Sequence, residues 1–239
     1  MPEKVKNIRF AEVTTGILLI LGVTGMLLAM LSDFSLVTPY SSLQEDMTYL
    51  PDSIESLRIS GLIRLICGFL TLVLLPFFLS TFSHHTRVYH YINGVLILMI
   101  STYYFITGGL GFRMISLIRQ LSPEFIAGTD NAGLTSLLQL IRLQQNLVVA
   151  GRILIGLFLI IFTFSKIKAR RIPFVSSLLF ILSGPVIVFF SWYDPENLAL
   201  TSAMATGALG MVILGLRLIN KGLMTLPRRL RKMLKKEKD

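Results

Sequence analysis

Residues 59–82 read ISGLIRLICGFLTLVLLPFFLSTF, and one charged residue, Arg64, interrupts an otherwise apolar run. At about 1.5 Å per residue, a helix of this length crosses the ~30 Å hydrocarbon core of a bilayer. Working outward, five more stretches have the same character: Phe10–Leu31, Ile92–Phe112, Leu147–Phe164, Ile172–Trp192 and Ala199–Ile219. Together they predict an all-α fold, a polytopic bundle of six transmembrane helices. Composition agrees, with 53% hydrophobic and only 15% charged residues and a mean hydropathy of +0.71. A soluble domain carries roughly a quarter charged residues. Residues 1–226 form the six-span domain and residues 227–239 a basic tail.

The net charge of +10 would suit a nucleic-acid ligand, but the positive charge lies in short segments beside the apolar runs. That distribution belongs to membrane orientation and lipid headgroups and argues against nucleic acid. Six basic residues, Arg58, Arg64, Arg113, Arg119, Arg142 and Arg152, fall on one side of the alternating chain, with acids that include Asp33, Glu45, Asp46, Asp52, Glu55, Asp194 and Glu196. Every Lys falls on the other side, which holds the N-terminus, the Ser83–Tyr91 and Lys166–Arg171 loops and the tail. The excess of positive charge predicts that both termini face the cytoplasm, in a cell (inner or plasma) membrane. The first span begins with Lys4, Lys6 and Arg9, but its long core and the poor cleavage site Ala29-Met30-Leu31 mark an uncleaved helix. Cys67, the only cysteine, lies in an apolar run and reads as a small packing residue.

Two outer connections stand out. Asp33–Leu57 is polar and acidic and reads as a loop. Arg113–Asn146 has helical periodicity, with Met114, Leu117, Ile118 and Leu121 on one arm and Leu134, Leu137, Leu138 and Ile141 on the other. Spans three and four are therefore expected to continue as a helical hairpin extension on the outer side. Its tip, Ser122–Gly133, carries Pro123, Gly128 and Gly133, and with the first loop it would form a small cap. Pro227 ends the last helical pattern. Beyond it Arg228, Arg229, Arg231, Lys232, Lys235 and Lys236 interleave with Leu230, Met233 and Leu234 as a short amphipathic surface helix. Each basic residue near an anionic leaflet contributes roughly 1 kcal/mol. The tail is expected to anchor topology and to meet anionic lipid headgroups.

The run Lys168-Ala169-Arg170-Arg171-Ile172-Pro173, leading into Leu178-Leu179-Phe180-Ile181-Leu182-Ser183-Gly184, is a basic turn, an Ile-Pro step and a Leu-rich span ending in Gly. With the Arg9-Phe10-Ala11 opening and the long outer loop before Leu57-Arg58-Ile59-Ser60-Gly61, this order resembles a six-span prokaryotic membrane family catalogued as domain of unknown function four-three-eight-six. The resemblance implies a prokaryotic inner-membrane protein. It implies no activity and carries over no functional residues.

His84, His85 and His90 all lie in the turn between spans two and three. His85 and His90 are five apart rather than the four that stacks helical zinc ligands, and no Cys, Asp or Glu is close in sequence. They read first as an interfacial polar turn and only weakly as metal ligands. No metal, cofactor or catalytic motif is expected. Glu12 is the only acid inside a span, and Arg9 is a local partner at i−3.

The outer arginines are more informative, because a guanidinium binds carboxylate or phosphate through two parallel hydrogen bonds. If Arg152 sat at the interface, the remaining apolar run Ile153–Phe164 would reach only about 18 Å and could not cross the core. Arg152 must therefore lie within span four. Arg64 is not forced inward in the same way, since the run after it is nearly long enough alone. A buried Arg costs about 3 kcal/mol to insert and needs a partner. That partner could be a loop acid such as Asp33, a lipid phosphate or an anionic ligand; snorkelling is the plainer account. Ser101, Thr102, Tyr103, Tyr104 and Thr107 give span three a polar centre, either as interhelical hydrogen bonds or as the wall of a cavity shared with Arg152. Arg152, Arg64, Arg113, Tyr103, Tyr104 and Thr107 are the candidate ligand-binding set. Pro76 and Pro185 interrupt spans two and five, but no sequence self-similarity accompanies them as evidence of a transporter repeat.

Three readings of function follow. The first is a non-enzymatic accessory or ligand-sensing membrane protein with an outer Arg pocket for an anionic group or lipid. The second is a small transporter or channel subunit working as a homo-oligomer or beside a membrane partner subunit. The third is a membrane enzyme without a recognisable motif.

Overall fold

In lipid a chain must satisfy every backbone N–H and C=O internally, and apolar runs of this length do so as helices. The computed structural model of the protein describes residues 2–34, 43–82, 87–120, 131–167, 172–194 and 197–224. They form α1 (Pro2–Phe34), α2 (Leu43–Thr81), α3 (Arg87–Gln120), α4 (Asn131–Ile167), α5 (Phe174–Tyr193) and α6 (Leu198–Met224). All six are long and apolar enough to cross a membrane. Local chemistry sets the ends of the shortest one. Pro173, extended at ψ 140°, precedes α5, and its carbonyl accepts the Ser177 N–H at 3.0 Å. At the other end the Asn197 Oδ1 accepts the Ala199 N–H at 2.8 Å and so caps α6, while its Nδ2 donates to Asp194 Oδ2 at 3.0 Å. Pro76 and Pro185 are both exposed, and the helices run through them.

Unlike a soluble protein's, the outward face is apolar, and the interior mixes apolar with small polar side chains. On α2, Ile59, Leu62, Ile66 and Phe69 point outward, 45–60% exposed, while Ser60, Arg64 and Cys67 are buried. On α5 the outward face is Phe174, Val175, Leu178, Leu182 and Phe189, and the inward face includes Ser176, Ser177, Ser183 and Ser191. An apolar exterior on this scale would drive aggregation in water and is what lipid contact requires. The chain is a multi-pass membrane protein.

Each helix packs on its neighbours in sequence, and α6 packs on α1, so the six helices form a closed ring. Burial from water drives little between helices in lipid, so close approach at small residues must hold the ring. Gly16 of α1 lies against the backbone of Gly215 on α6, and Gly156 of α4 against that of Gly184 on α5. Gly61 and Gly68 on α2 meet Gly108 and Ser101 on α3, where the Ser101 hydroxyl donates to the Gly68 carbonyl at 2.8 Å.

Two cores fill the interior. The larger runs through all six helices and carries an aromatic cluster of Phe78, Phe82, Phe158, Phe162 and Phe180 at the end of the ring where α1 begins, hereafter the N-terminal end. The smaller lies towards the opposite, distal end. Leu57, Met114, Ile115, Ile118 and Leu137 are buried there, with Ile54, Phe112, Leu140 and Ile141 against them.

One expectation about the connections changes. The first "loop", Asp33–Leu57, is helical from Leu43 onward: its polar, acidic composition reads as a loop, yet from there the segment belongs to α2 without a break. Of the periodic hairpin residues, Met114, Ile118 and Leu137 are buried and Leu117 and Ile141 half-buried. Leu121, residues 122–130 of the tip, and the side chains of Leu134 and Leu138 lie outside the described residues, as do His84, His85 and the whole tail from residue 225, while the end of the tip, from Asn131, is already the first turn of α4.

Candidate functional site

Helix register determines which candidate residues meet. The pairs Gly61–Gly108 and Gly68–Ser101 are seven residues apart on both helices, so residues 64–65 of α2 stand opposite residues 104–105 of α3. On the next seam the Tyr103 ring lies so close to Gly151 that any Cβ there would overlap it. That places Arg152, the next residue, at the same level. Arg64, Tyr103, Tyr104 and Arg152 therefore share one layer of the ring. Arg64 is 1% exposed and Tyr104 5%, whereas Tyr103 and Arg152 are half-buried at the α3–α4 seam. The two tyrosine rings touch at a centroid distance of 4.8 Å.

Thr107 stands one turn further towards the distal end. It is fully buried, but its hydroxyl donates to the carbonyls of Tyr103 and Tyr104 at 2.9 and 3.3 Å in its own helix. Thr102 likewise bonds its own helix, at Leu98 O. Of the span-three polar residues, Ser101 makes an interhelical bond and Tyr104 lines a cavity. Arg113 is exposed and stands apart from the layer. His90 lies at the opposite end of the ring with its ring facing Tyr91, and among the described residues no group of three His, Cys, Asp or Glu could hold a metal.

The close contact of Gly156 with Gly184 carries the level of Arg152 across to about residue 188 of α5. At about 1.5 Å per residue this is ~21 Å from the start of α5 and ~8 Å from its end. The arginine layer thus sits in the distal third of a helix whose 20 residues match one hydrocarbon thickness. Three features here were not read from sequence. Ser60 lies four residues before Arg64 on the same α2 face, 2% exposed, and Ser191 of α5 is 1% exposed at a matching level. Neither hydroxyl has a hydrogen-bond partner among the described residues. The i, i+4 spacing of Ser60 and Arg64 was the available signal.

The second feature is a cavity of about 100 Å³ in the middle of the ring, walled by side chains from all six helices. Its lining is apolar apart from Thr71 and Tyr104, and the Thr71 hydroxyl is already bonded to Cys67 O at 2.7 Å. Tyr104 forms its distal rim, level with Arg64. Nothing in a linear pattern reveals which faces enclose a lumen. The third is an ion pair: Glu12, 7% exposed, accepts from Lys221 Nζ at 2.5 Å across the α1–α6 seam, one turn from the Gly16–Gly215 contact. Lys221, remote in sequence, is the partner the structure gives Glu12; the side chain of Arg9 lies outside the described residues.

Compared with protein families, curated protein sequences and solved structures, the chain matches none.

Proposed function

We propose that the protein is a non-enzymatic accessory or ligand-sensing protein of the cell membrane, with an outward-facing pocket that binds an anionic group through Arg64 and Arg152. The observation that carries this reading is the shared layer: a fully buried guanidinium beside a half-exposed one, with two tyrosines between them. Placing Arg64 out of water is costly, and fixed anion binding is a recurrent use of such a residue. Arg152, at the α3–α4 seam about 8 Å inside the distal end of α5, would reach a headgroup oxyanion by extending outward along the seam. The orientation comes from the positive-inside bias, which puts the distal end outside and both termini in the cytoplasm. On this orientation α2, α3 and α4 run past the end of α5 as an outer cap held by the Leu57–Met114–Leu137 cluster. The tail would lie on the anionic cytoplasmic leaflet. The resemblance to the prokaryotic six-span family is consistent with an inner membrane.

A transporter would need a polar path, and the lining of the central cavity favours binding instead. The ligand chemistry is a phosphate or carboxylate oxyanion, from a lipid headgroup or from solution. Native mass spectrometry of wild type, Arg152→Leu and Arg152→Lys tests it in two arms. One uses nanodiscs containing phosphatidylglycerol, the other phosphatidylcholine nanodiscs with added inorganic phosphate. The reading expects an adduct in at least one arm that Arg152→Leu loses and Arg152→Lys restores in part, because Lys keeps the charge but not the fork. Which arm shows it names the source. Equal occupancy in all three proteins sinks the reading.

A further inference from the structure

The central cavity lies at the mid-depth of the ring. Gly207, in its wall, stands against Ser183, halfway along the 20-residue α5. The medium at that depth is hydrocarbon, with no water to draw on. At about 100 Å³ the space could hold water by volume, but a buried water makes about three hydrogen bonds. The wall offers two hydroxyls, those of Thr71 and Tyr104, and the Thr71 proton is already given to Cys67 O. The rest of the lining is aliphatic, methionine and phenylalanine side chains with two glycines, Gly22 and Gly207. Such a wall suits an apolar occupant.

Gly22 makes the room. A glycine in a helix interior and an unfilled void each cost stability. Contact explains other glycines: at Gly16, Gly25, Gly151, Gly156 and Gly184 a Cβ would run into the neighbouring helix, and at Gly207 it would press on Leu159 and Ser183. At Gly22 a Cβ meets nothing within 4 Å, although the residue lies on the inward side of α1, away from the exposed face of Ile17, Leu21 and Leu28. Helix packing does not account for this glycine, and a larger residue there would fill the cavity. We infer that the centre of the ring is a binding site for a small apolar molecule, a hydrocarbon or other non-polar group smaller than a benzene ring. The size limit holds because the cavity is smaller than the ~150 Å³ apolar cavity that accepts benzene. All six helices line the site, so an occupant touches both sides of the α1–α6 seam and stabilises the closed ring by mass action. Of the anion-pocket candidates only Tyr104 reaches this cavity, so the two sites stand or fall separately.

Xenon is the probe. The full chain is crystallised from a lipid mesophase, without xenon and under xenon pressure. Its melting temperature is followed in nanodiscs under xenon and under nitrogen at equal pressure. Wild type should show one anomalous xenon peak among Gly22, Ile100, Ile187 and Met204. Its melting temperature should rise by about 2–4 °C once xenon is several times its dissociation constant. Gly22→Leu should lose both the peak and the rise. Gly22→Val fills less and should weaken both, and it carries the test should Gly22→Leu not fold. Gly109→Leu is the control for xenon dissolved in lipid: a Cβ there also meets nothing, but the residue is exposed and lines no part of the cavity, so the variant should behave as wild type. In the xenon-free crystal, apolar density confined to the cavity names a free small molecule as the natural occupant, and density running on through a seam into the bilayer names the end of a lipid chain. Ordered waters in the cavity, a cavity empty in both wild-type crystals, or a peak and rise undiminished in a folded Gly22 variant overturn the inference. None of these results alters the anion adducts of wild type and the Arg152 variants.

Discussion

Two glycines on one helix should respond to the same substitution with opposite sign. Gly16 and Gly22 are six residues apart on α1. A Cβ at Gly16 would stand 2.5 Å from the backbone oxygen of Gly215 and 2.8 Å from Ile219, whereas at Gly22 it meets nothing. Replacing Gly by Ala in a helix interior gains roughly 0.5–1 kcal/mol from the unfolded chain's lost freedom. Gly22→Ala should show that gain undiminished. At Gly16 the obstacle is backbone, which cannot rotate aside, so α6 must move outward by most of an ångström to restore ordinary contact. Overpacking of this kind costs about 1–3 kcal/mol. It also parts the seam that closes the ring, next to the Glu12–Lys221 pair. Gly16→Ala should therefore be destabilising by a net ~1–2 kcal/mol, and the two variants should differ by about 2–3 kcal/mol. Reversible unfolding in mixed micelles, followed by the loss of helix signal with rising denaturing detergent, gives the difference directly. If both variants shift the midpoint the same way, α1 and α6 do not meet at these glycines and the closed ring is wrong.

The ion pair on that seam should be asymmetric. Lys221→Met strands the buried carboxylate of Glu12 and should cost more, on the order of 3 kcal/mol, than Glu12→Gln, which leaves an exposed Lys hydrated and should cost about 1 kcal/mol or less. Equal costs in the same unfolding assay would mean the carboxylate is not buried. Reporter fusions at Gln44, Asn131 and Glu196 should report the outside and fusions at His85, Arg170 and the C-terminus the inside; a cytoplasmic Asn131 is incompatible with six spans in this orientation. Truncation after Leu226 should leave insertion intact and weaken binding of the solubilised protein to anionic liposomes, most at low salt, where charges are least screened. Binding that is unchanged at every salt concentration removes the role given to Arg228–Lys238.

The spans were legible because lipid imposes a length and a hydropathy that few other contexts demand, and Arg64 and Arg152 stood out against that background. The helical start of α2 was not legible. Glu45, Asp46 and Asp52 give the segment the acidic character of a loop, yet it is continuous with a long apolar helix. Arg152 could be placed within its span by counting residues, but nothing local separated a buried Arg64 from a snorkelling one. That distinction came from the Gly61–Gly108 and Gly68–Ser101 contacts, which turn the Arg64 face inward. Ser60 and Ser191 stayed hidden because a serine in a span usually bonds its own helix. The partner of Glu12, more than 200 residues away, and the lumen both depend on α1 closing on α6, and ring closure leaves no local pattern.

The most direct test of the account is an experimental structure of the protein in a nanodisc containing phosphatidylglycerol. The account predicts α1 closed on α6 and density for an anionic headgroup at Arg152, in the layer it shares with Arg64, Tyr103 and Tyr104. An open ring, or no anionic density beside Arg152, would contradict it.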